Sequence, residues 1–110
     1  MSKVAMISTG DFAAQVEGDA SGAVVVDFTA TWCPPCKMLA PVFEKVADKY
    51  EGQAKFYKVD VDQDVEVAAK YGVQTIPNLL FFRNGQVVDQ SVGYVNEAQL
   101  SAKVDGVLNN

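Results

Sequence analysis

The only two cysteines of the chain lie in one hexapeptide, Trp32-Cys33-Pro34-Pro35-Cys36-Lys37. An apolar run typical of a β-strand precedes this hexapeptide, and apolar residues at helical spacing follow it. Two thiols at such a strand-to-helix junction are close enough to form a disulfide, and the N-terminus of the helix can stabilise a thiolate. The arrangement predicts exchange of a disulfide with another protein.

A cysteine pair has two other common uses, as ligands of a zinc ion and as a structural disulfide. A structural zinc site needs four Cys or His ligands, and the chain has two cysteines and no histidine. Only a zinc ion bridged between two chains therefore stays open. A purely structural disulfide across so short a loop would restrict the unfolded chain little, because that stabilisation grows with loop length. The redox interpretation is favoured, and we expect no metal.

Composition indicates one small domain that spans residues 1–110. The chain has 110 residues, of which 49% are hydrophobic, so it can form a single core. Its first residues lack the apolar segment of a signal peptide, and no run reaches membrane-spanning length. We therefore expect a cytoplasmic protein. The alternative, that a signal peptide was removed from a longer precursor, stays open. A net charge of −5 argues against nucleic acid as a main partner.

The pattern along the chain predicts an α/β protein in the order βαβαβαββα. The predicted strands are Val4–Ile7, Ala23–Thr29, Ala54–Val61, Asn78–Arg83 and Gln86–Val92. The predicted helices are a brief one capped by Thr9, a long one that ends near Tyr50, Asp64–Tyr71, and a last one capped by Asn96. Strands separated by helices should lie parallel, and the Asn84-Gly85 turn should join the last two strands as an antiparallel hairpin.

Several motifs together resemble the thioredoxin family. Trp-Cys-x-Pro-Cys-Lys follows a Val-Val-Asp-Phe strand, and Ile76-Pro77 comes about forty residues later. The other matches, which extend over nearly the whole chain, are the Asp-Phe-x-Ala-x-Trp lead-in, Pro41, Tyr71-Gly72-Val73, Asn84-Gly85 and Val92-Gly93. The resemblance implies the thioredoxin fold, with a central mixed sheet of about five strands flanked by four helices. Two positions depart from the typical pattern, because Pro34 stands where Gly is usual and Asn78 where Thr is common.

Within the motif, the resemblance implies that Cys33 is the nucleophile and Cys36 the resolving thiol. Cys33 lies at or just before the start of the helix, where unpaired backbone N–H groups can stabilise its thiolate. Neither Pro34 nor Pro35 has an amide hydrogen, so the Cys36 N–H is the leading candidate donor to the Cys33 sulfur.

Asp27 is a carboxylate within an otherwise apolar strand, and burial there should raise its pKa. The resemblance implies that Asp27 lies beneath the cysteine pair and moves the proton of Cys36 through water, with Lys58 modulating it. A structural ion pair between Asp27 and Lys58 is the alternative.

The resemblance also implies a substrate-binding surface beside the cysteines. It implies a cis bond before Pro77, so that the Ile76 backbone could pair with an extended substrate segment. The predicted substrate-binding residues are Trp32, Pro34, Pro35, Ile76, Pro77, Gly93 and Tyr94. Ordinary packing is the alternative for Trp32, and a bend of the backbone is the alternative for Gly93.

Asp60, Asp62 and Asp64 have the spacing that begins a calcium-binding loop. The glycine and the glutamate that such a loop requires are replaced by Val65 and Tyr71, which excludes that interpretation. We expect a solvated acidic turn.

The sequence therefore predicts a protein-disulfide reductase that cycles between a dithiol and a disulfide through a mixed disulfide. The resemblance implies disulfide-containing protein substrates and an NADPH-dependent thioredoxin reductase as partners. We expect a monomer with no bound cofactor and no membrane association. Two alternatives stay open: a reductant of an exported pathway such as cytochrome maturation, and a non-enzymatic subunit whose cysteines are dispensable.

Overall fold

Five strands and four helices follow one another in the predicted order in the computed structural model, which describes residues 3–109. The strands are β1 (Val4–Met6), β2 (Ala23–Thr29), β3 (Ala54–Asp60), β4 (Asn78–Arg83) and β5 (Gln86–Val92). The helices are α1 (Thr9–Phe12), α2 (Pro34–Lys49), α3 (Val65–Lys70) and α4 (Glu97–Leu108), and α1 continues into a π-helical segment, Ala13–Glu17. The mixed five-stranded sheet confirms the predicted fold class.

The strands form one sheet in the order β1-β3-β2-β4-β5. β1 and β2 both pair with β3 in parallel, whereas β4 runs antiparallel to β2, and β5 antiparallel to β4. The prediction that strands separated by helices lie parallel is therefore wrong for β4. α3 has six residues, about 9 Å of helix, which is too short to return the chain along a strand of about 23 Å. The chain re-enters the sheet where β2 ends, and Asn78 pairs with Phe28.

Apolar side chains fill both faces of the sheet, which explains why β2 is apolar almost without interruption. Every residue of β2 from Ala23 to Phe28 is buried. On one face the core includes Val25 of β2 with buried residues of α2 and α4, and on the other it includes Val24, Val26 and Phe28 of β2 with residues of α1 and α3. A strand that is covered on both faces has no side chain in contact with solvent, so it needs no polar alternation.

Helix ends are set by local polar groups, and one of the two predicted caps is correct. Asn96 caps α4, and its side chain and that of Gln99 each accept the other's backbone N–H in a capping box. The predicted cap Thr9 is wrong, because Ser8 caps α1 and accepts the N–H of Asp11 at 3.3 Å. Both residues carry a hydroxyl, so the sequence placed the cap within one residue.

The β4–β5 hairpin forms as predicted around Asn84 and Gly85. Their φ angles are 53° and 76°, which is the backbone that a two-residue turn between antiparallel strands requires. Gly85 also lies directly on the carbonyl of Glu17, where a side chain would have no space. Within residues 3–109, none of the helices has the combination of length and apolar character that crossing a bilayer demands.

Candidate redox site

The cysteine pair lies where β2 passes into α2. Cys33 is the N-cap of α2, with extended backbone angles, and Pro34 and Pro35 occupy the first helical positions. Proline is favourable there because the amide hydrogens of the first turn have no helical partner to bond. The two cysteines form a disulfide with their Cα atoms 5.2 Å apart. The Cys36 N–H donates to Cys33 Sγ at 3.3 Å, as the sequence predicted.

The disulfide is nearly enclosed by apolar neighbours. Cys33 and Cys36 are 4% and 2% exposed, and they pack with Ala30 and with the half-buried Val61 and Ile76. Burial alone therefore does not separate an attacking from a resolving thiol. The distinction comes from position, because Cys33 precedes the helix and Cys36 lies within it.

A loop before β4 faces Cys33. The Ile76–Pro77 peptide bond is cis, as the resemblance implied, and the Ile76 carbonyl oxygen lies 4.0 Å from Cys33 Sγ. The Pro77 carbonyl accepts the N–H of Gly93 at 2.8 Å, and Gly93 has a φ of +90° that favours glycine. The antiparallel entry of β4 thus brings Ile76 beside the disulfide, and the Pro77 carbonyl connects this loop to Gly93.

Large exposed side chains border this loop and the cysteines. Trp32 is 64% exposed, and Tyr94 is 45% exposed next to Gly93. Pro34 and Pro35 are exposed as well, whereas Pro77 is buried. Exposed apolar groups around a reactive centre are a common feature of surfaces that bind other proteins.

Asp27 is buried in β2, on the face of the sheet that α2 covers. Alternation along the strand puts it on the same side as Val25, and it is 1% exposed. Neither carboxylate oxygen has a hydrogen-bond partner. Burial raises the pKa of Asp27 to about 7, and the positive charge of Lys58 opposes this increase. Lys58 is the register partner of Asp27 on β3 but makes no hydrogen bond with it, which argues against the structural ion pair.

A cavity of about 230 Å³ lies next to the resolving cysteine. Cys36, Lys58 and Asp60 are among its lining residues, together with Met6 and Thr29. A water molecule occupies about 30 Å³ in the liquid, so the cavity has room for several. Cys36 and Lys58 therefore border one space in which water can carry protons.

The acidic turn after β3 is exposed at Asp62, as expected for a solvated turn, whereas Asp60 is buried. Asp60 accepts the N–H of Asp62 at 2.9 Å, and Asp64 accepts the N–H of Thr9 at 2.9 Å. These carboxylates bind backbone donors that the turn and a neighbouring loop would otherwise leave unpaired.

Asp62 is a site residue that the sequence analysis missed. Its carboxylate accepts the indole N–H of Trp32 at 2.7 Å, across 30 residues of sequence. The available signal was chemical, since a tryptophan N–H usually finds an acceptor and the nearby turn is rich in carboxylates. The bond fixes the orientation of an exposed ring that would otherwise rotate.

We expect Asp62→Ala to weaken binding of protein substrates by about three- to tenfold, because a freed Trp32 ring must be ordered on contact. KM for a protein disulfide, measured at fixed reductase concentration, tests this. Asp62→Asn is the matched variant and should keep most of the affinity, since its amide oxygen can still accept. An unchanged KM in Asp62→Ala would show that the bond does not orient the ring for binding.

The disulfide lies at a helix N-terminus, faces the Ile76–Pro77 loop and is bordered by exposed aromatic rings. This arrangement is suited to thiol–disulfide exchange with another protein. Another protein's thiols or disulfide can approach Cys33, and the helix N-terminus stabilises the thiolate that the exchange releases. Fold and site together define a thiol–disulfide oxidoreductase.

Comparison with known proteins identifies the family. The Thioredoxin family model matches residues 3–106. Thioredoxins of Staphylococcus aureus strains Mu50 and MW2 are 46% identical over 102 residues, which is 93% of this chain and 95% of theirs. The crystal structure of the Malassezia sympodialis thioredoxin Mala s 13 is similar with a TM-score of 0.86 and 42% identity, over 97% of this chain and 92% of that one. The chain belongs to the thioredoxin family and is a protein-disulfide reductase.

Proposed function

We propose that Cys33 attacks protein disulfides and that Cys36 resolves the product. The Cys33 thiolate attacks one substrate sulfur, the substrate disulfide breaks, and its second sulfur leaves as a thiolate. Cys36, as thiolate, then attacks Cys33 Sγ, which breaks the mixed disulfide and releases the remaining substrate sulfur. Two electrons pass to the substrate, and Cys33 and Cys36 end as a disulfide.

The observation that carries this assignment is the hydrogen bond from the Cys36 N–H to Cys33 Sγ at 3.3 Å. A donor aimed at a sulfur stabilises negative charge on it, and Cys33 occupies the N-cap position where the helix dipole adds to the effect. Cys33 precedes the helix and lies beside the Ile76 loop, whereas Cys36 is the third residue of α2, so substrate would approach Cys33.

Asp27 would accept the proton that Cys36 must lose before it attacks. A buried carboxyl with a pKa of about 7 can change protonation state near neutral pH. Water in the cavity lined by Cys36 and Lys58 would take up the proton first. Asp27 does not line that cavity, so Lys58, its register partner on β3, would connect it to this water, and the Lys58 charge would make the ionised carboxylate easier to form.

Substrate would lie across the loop that faces Cys33. The Ile76 backbone, 4.0 Å from Cys33 Sγ at its carbonyl oxygen, would pair with an extended segment on one side of the target cysteine. Trp32, Pro34 and Tyr94 would contact the flanking side chains, and Gly93 and Pro77 would support the loop from beneath.

Family membership supports a place for the protein in cellular electron transport and redox homeostasis. A thioredoxin reductase that uses NADPH would return Cys33–Cys36 to the dithiol, so this chain needs no cofactor of its own. We propose that it acts in the cytoplasm as a monomer of one domain.

Reduction of insulin by NADPH and a thioredoxin reductase tests the proposal. We expect wild-type protein to precipitate the insulin B chain and Cys33→Ser to give only the background rate, because the attacking sulfur is gone. Gln86→Ala, an exposed change on β5, is the control and should match wild type. A Cys33→Ser protein that still supports the cellular role would favour the non-enzymatic alternative.

A further inference from the structure

Asn78 is a buried polar residue whose role the reaction above does not explain. It is 3% exposed and begins β4, between Pro77 and four buried apolar residues. Alternation along the strand places it on the sheet face opposite to Leu79, and therefore opposite to Asp27. A buried amide costs stability unless its polar atoms are bonded, so its partner shows what it does.

That partner is a glutamine on the edge strand. Gln90 of β5 donates from Nε2 to Asn78 Oδ1 at 3.1 Å. Asn78 is opposite Val92 and Gln90 is opposite Leu80, so the two amides are diagonal neighbours on one face. The Gln90 carbonyl in turn accepts from Lys103 Nζ of α4 at 3.0 Å. Asn78 is thereby connected to a point on β5 that α4 also holds.

The bond lies at the end of the hairpin that is nearer to the cysteines. A register shift between Phe81 and Phe82 separates the site end of the β4–β5 ladder from the tight turn. The site end is therefore offset from the turn by this irregularity, and β5 is also the edge of the sheet there. The Asn78–Gln90 bond adds a side-chain connection to the backbone ladder at this end and to the backbone bond from Gly93 to Pro77.

The segment held in this way is the one that faces the cysteines. Asn78 directly follows Pro77, and the Ile76 carbonyl lies 4.0 Å from Cys33 Sγ. A shift of about 1 Å at the start of β4 would move the Ile76 backbone out of position for pairing with substrate. We infer that Asn78, through Gln90, is a positioning residue for protein substrates, an inference that rests on the proposed function.

Two near-isosteric variants test the inference, Gln90→Met and Asn78→Leu. We expect each to raise KM for insulin about three- to tenfold, the size expected for loss of one hydrogen bond, with kcat within twofold of wild type. Reduction of a small aromatic disulfide, which has no peptide backbone to pair with Ile76, should change less than twofold. The double variant should be no worse than the worse single variant, because both remove the same bond.

Gln86→Met on the same strand is the matched control and should leave KM for insulin and the rate with the small disulfide unchanged. Gln90 is exposed, so Gln90→Met carries the test even where Asn78→Leu folds poorly. An unchanged KM for insulin in Gln90→Met overturns the inference, and so does an equal loss of activity toward insulin and the small disulfide. Inactivity of the wild-type protein on both substrates would instead contradict the proposed function, and the inference with it.

Discussion

Cys36→Ser is expected to retain protein substrates on Cys33 as covalent adducts. The first attack needs only the Cys33 sulfur, whereas release needs a second thiol that is already in place. Intramolecular groups can act at effective concentrations of about 10⁵ M or more, which a free thiol in solution cannot match. We therefore expect turnover with insulin to fall by at least about a thousandfold, while single-turnover formation of the mixed disulfide persists.

Exposure of the reduced variant to cell extract measures this directly. Adducts of high mass should appear on a non-reducing gel and disappear with dithiothreitol. Cys33→Ser is the matched variant, with one thiol also removed, and should give few adducts because Cys36 lies within the helix, whereas Cys33 precedes it. Adducts that accumulate on Cys33→Ser and not on Cys36→Ser would reverse the assignment of nucleophile and resolving thiol.

The parts of the fold that follow from local chemistry could be predicted from the sequence. β4, β5 and their turn match residue for residue, because Asn84-Gly85 supplies two positive φ angles between β-type runs. The start of α4 is equally local, since Asn96 and Gln99 satisfy each other's backbone N–H groups.

The direction of β4 could not be predicted in the same way. A helix between two strands usually indicates a parallel crossover, but that rule assumes a helix long enough to span the sheet. α3 ends after six residues, and this length depends on where Gly72, with a φ of +66°, turns the chain. The reversal has a functional consequence, because it brings residues 76 and 77 to the end of the sheet where Cys33 lies.

Hydrogen bonds between side chains on distant elements also could not be predicted from the sequence. Asp62 is 30 residues from Trp32, and Gln90 is 12 from Asn78. A tryptophan N–H indicates that an acceptor is needed, but the sequence does not say which carboxylate supplies it, and asparagine and glutamine have ordinary uses on a surface. In the sequence Asn78 is distinctive only as a departure from the common threonine, and its partner follows from the register of β4 and β5.

Asp27→Asn is expected to stabilise the protein at neutral and alkaline pH. Asp27 has a pKa of about 7 in the folded protein, against an ordinary value of 3.8, because burial penalises the charged form. As pH rises from about 4 to about 7, the unfolded chain loses this proton while the folded protein keeps it, so stability falls. Above about pH 7 Asp27 is ionised in both the folded and the unfolded protein, so the loss of stability reaches its full size, about 4 kcal/mol as an order of magnitude.

Asparagine does not titrate, so it removes this pH dependence. The free energy of unfolding of the oxidised variant should exceed that of wild type by about 2–4 kcal/mol at pH 8, with little difference at pH 4. Denaturant melts across this range measure the effect. Asp48→Asn, an exposed change on α2, is the control and should follow the wild-type curve. Parallel curves for wild type and Asp27→Asn would contradict the raised pKa.

The same substitution is expected to slow the reaction, because the neutral amide cannot accept the proton of Cys36. General bases contribute about a hundredfold or more, and water in the cavity beside Cys36 can take over part of that role. We therefore expect insulin reduction at pH 7 to fall about ten- to a hundredfold and to recover at higher pH, where hydroxide deprotonates Cys36. Formation of the mixed disulfide by Cys36→Ser should be unaffected by adding Asp27→Asn.

A gain in stability with no change in rate or pH profile would leave the buried carboxylate without a catalytic role. A loss of rate confined to the release step would instead assign Asp27 to the deprotonation of Cys36.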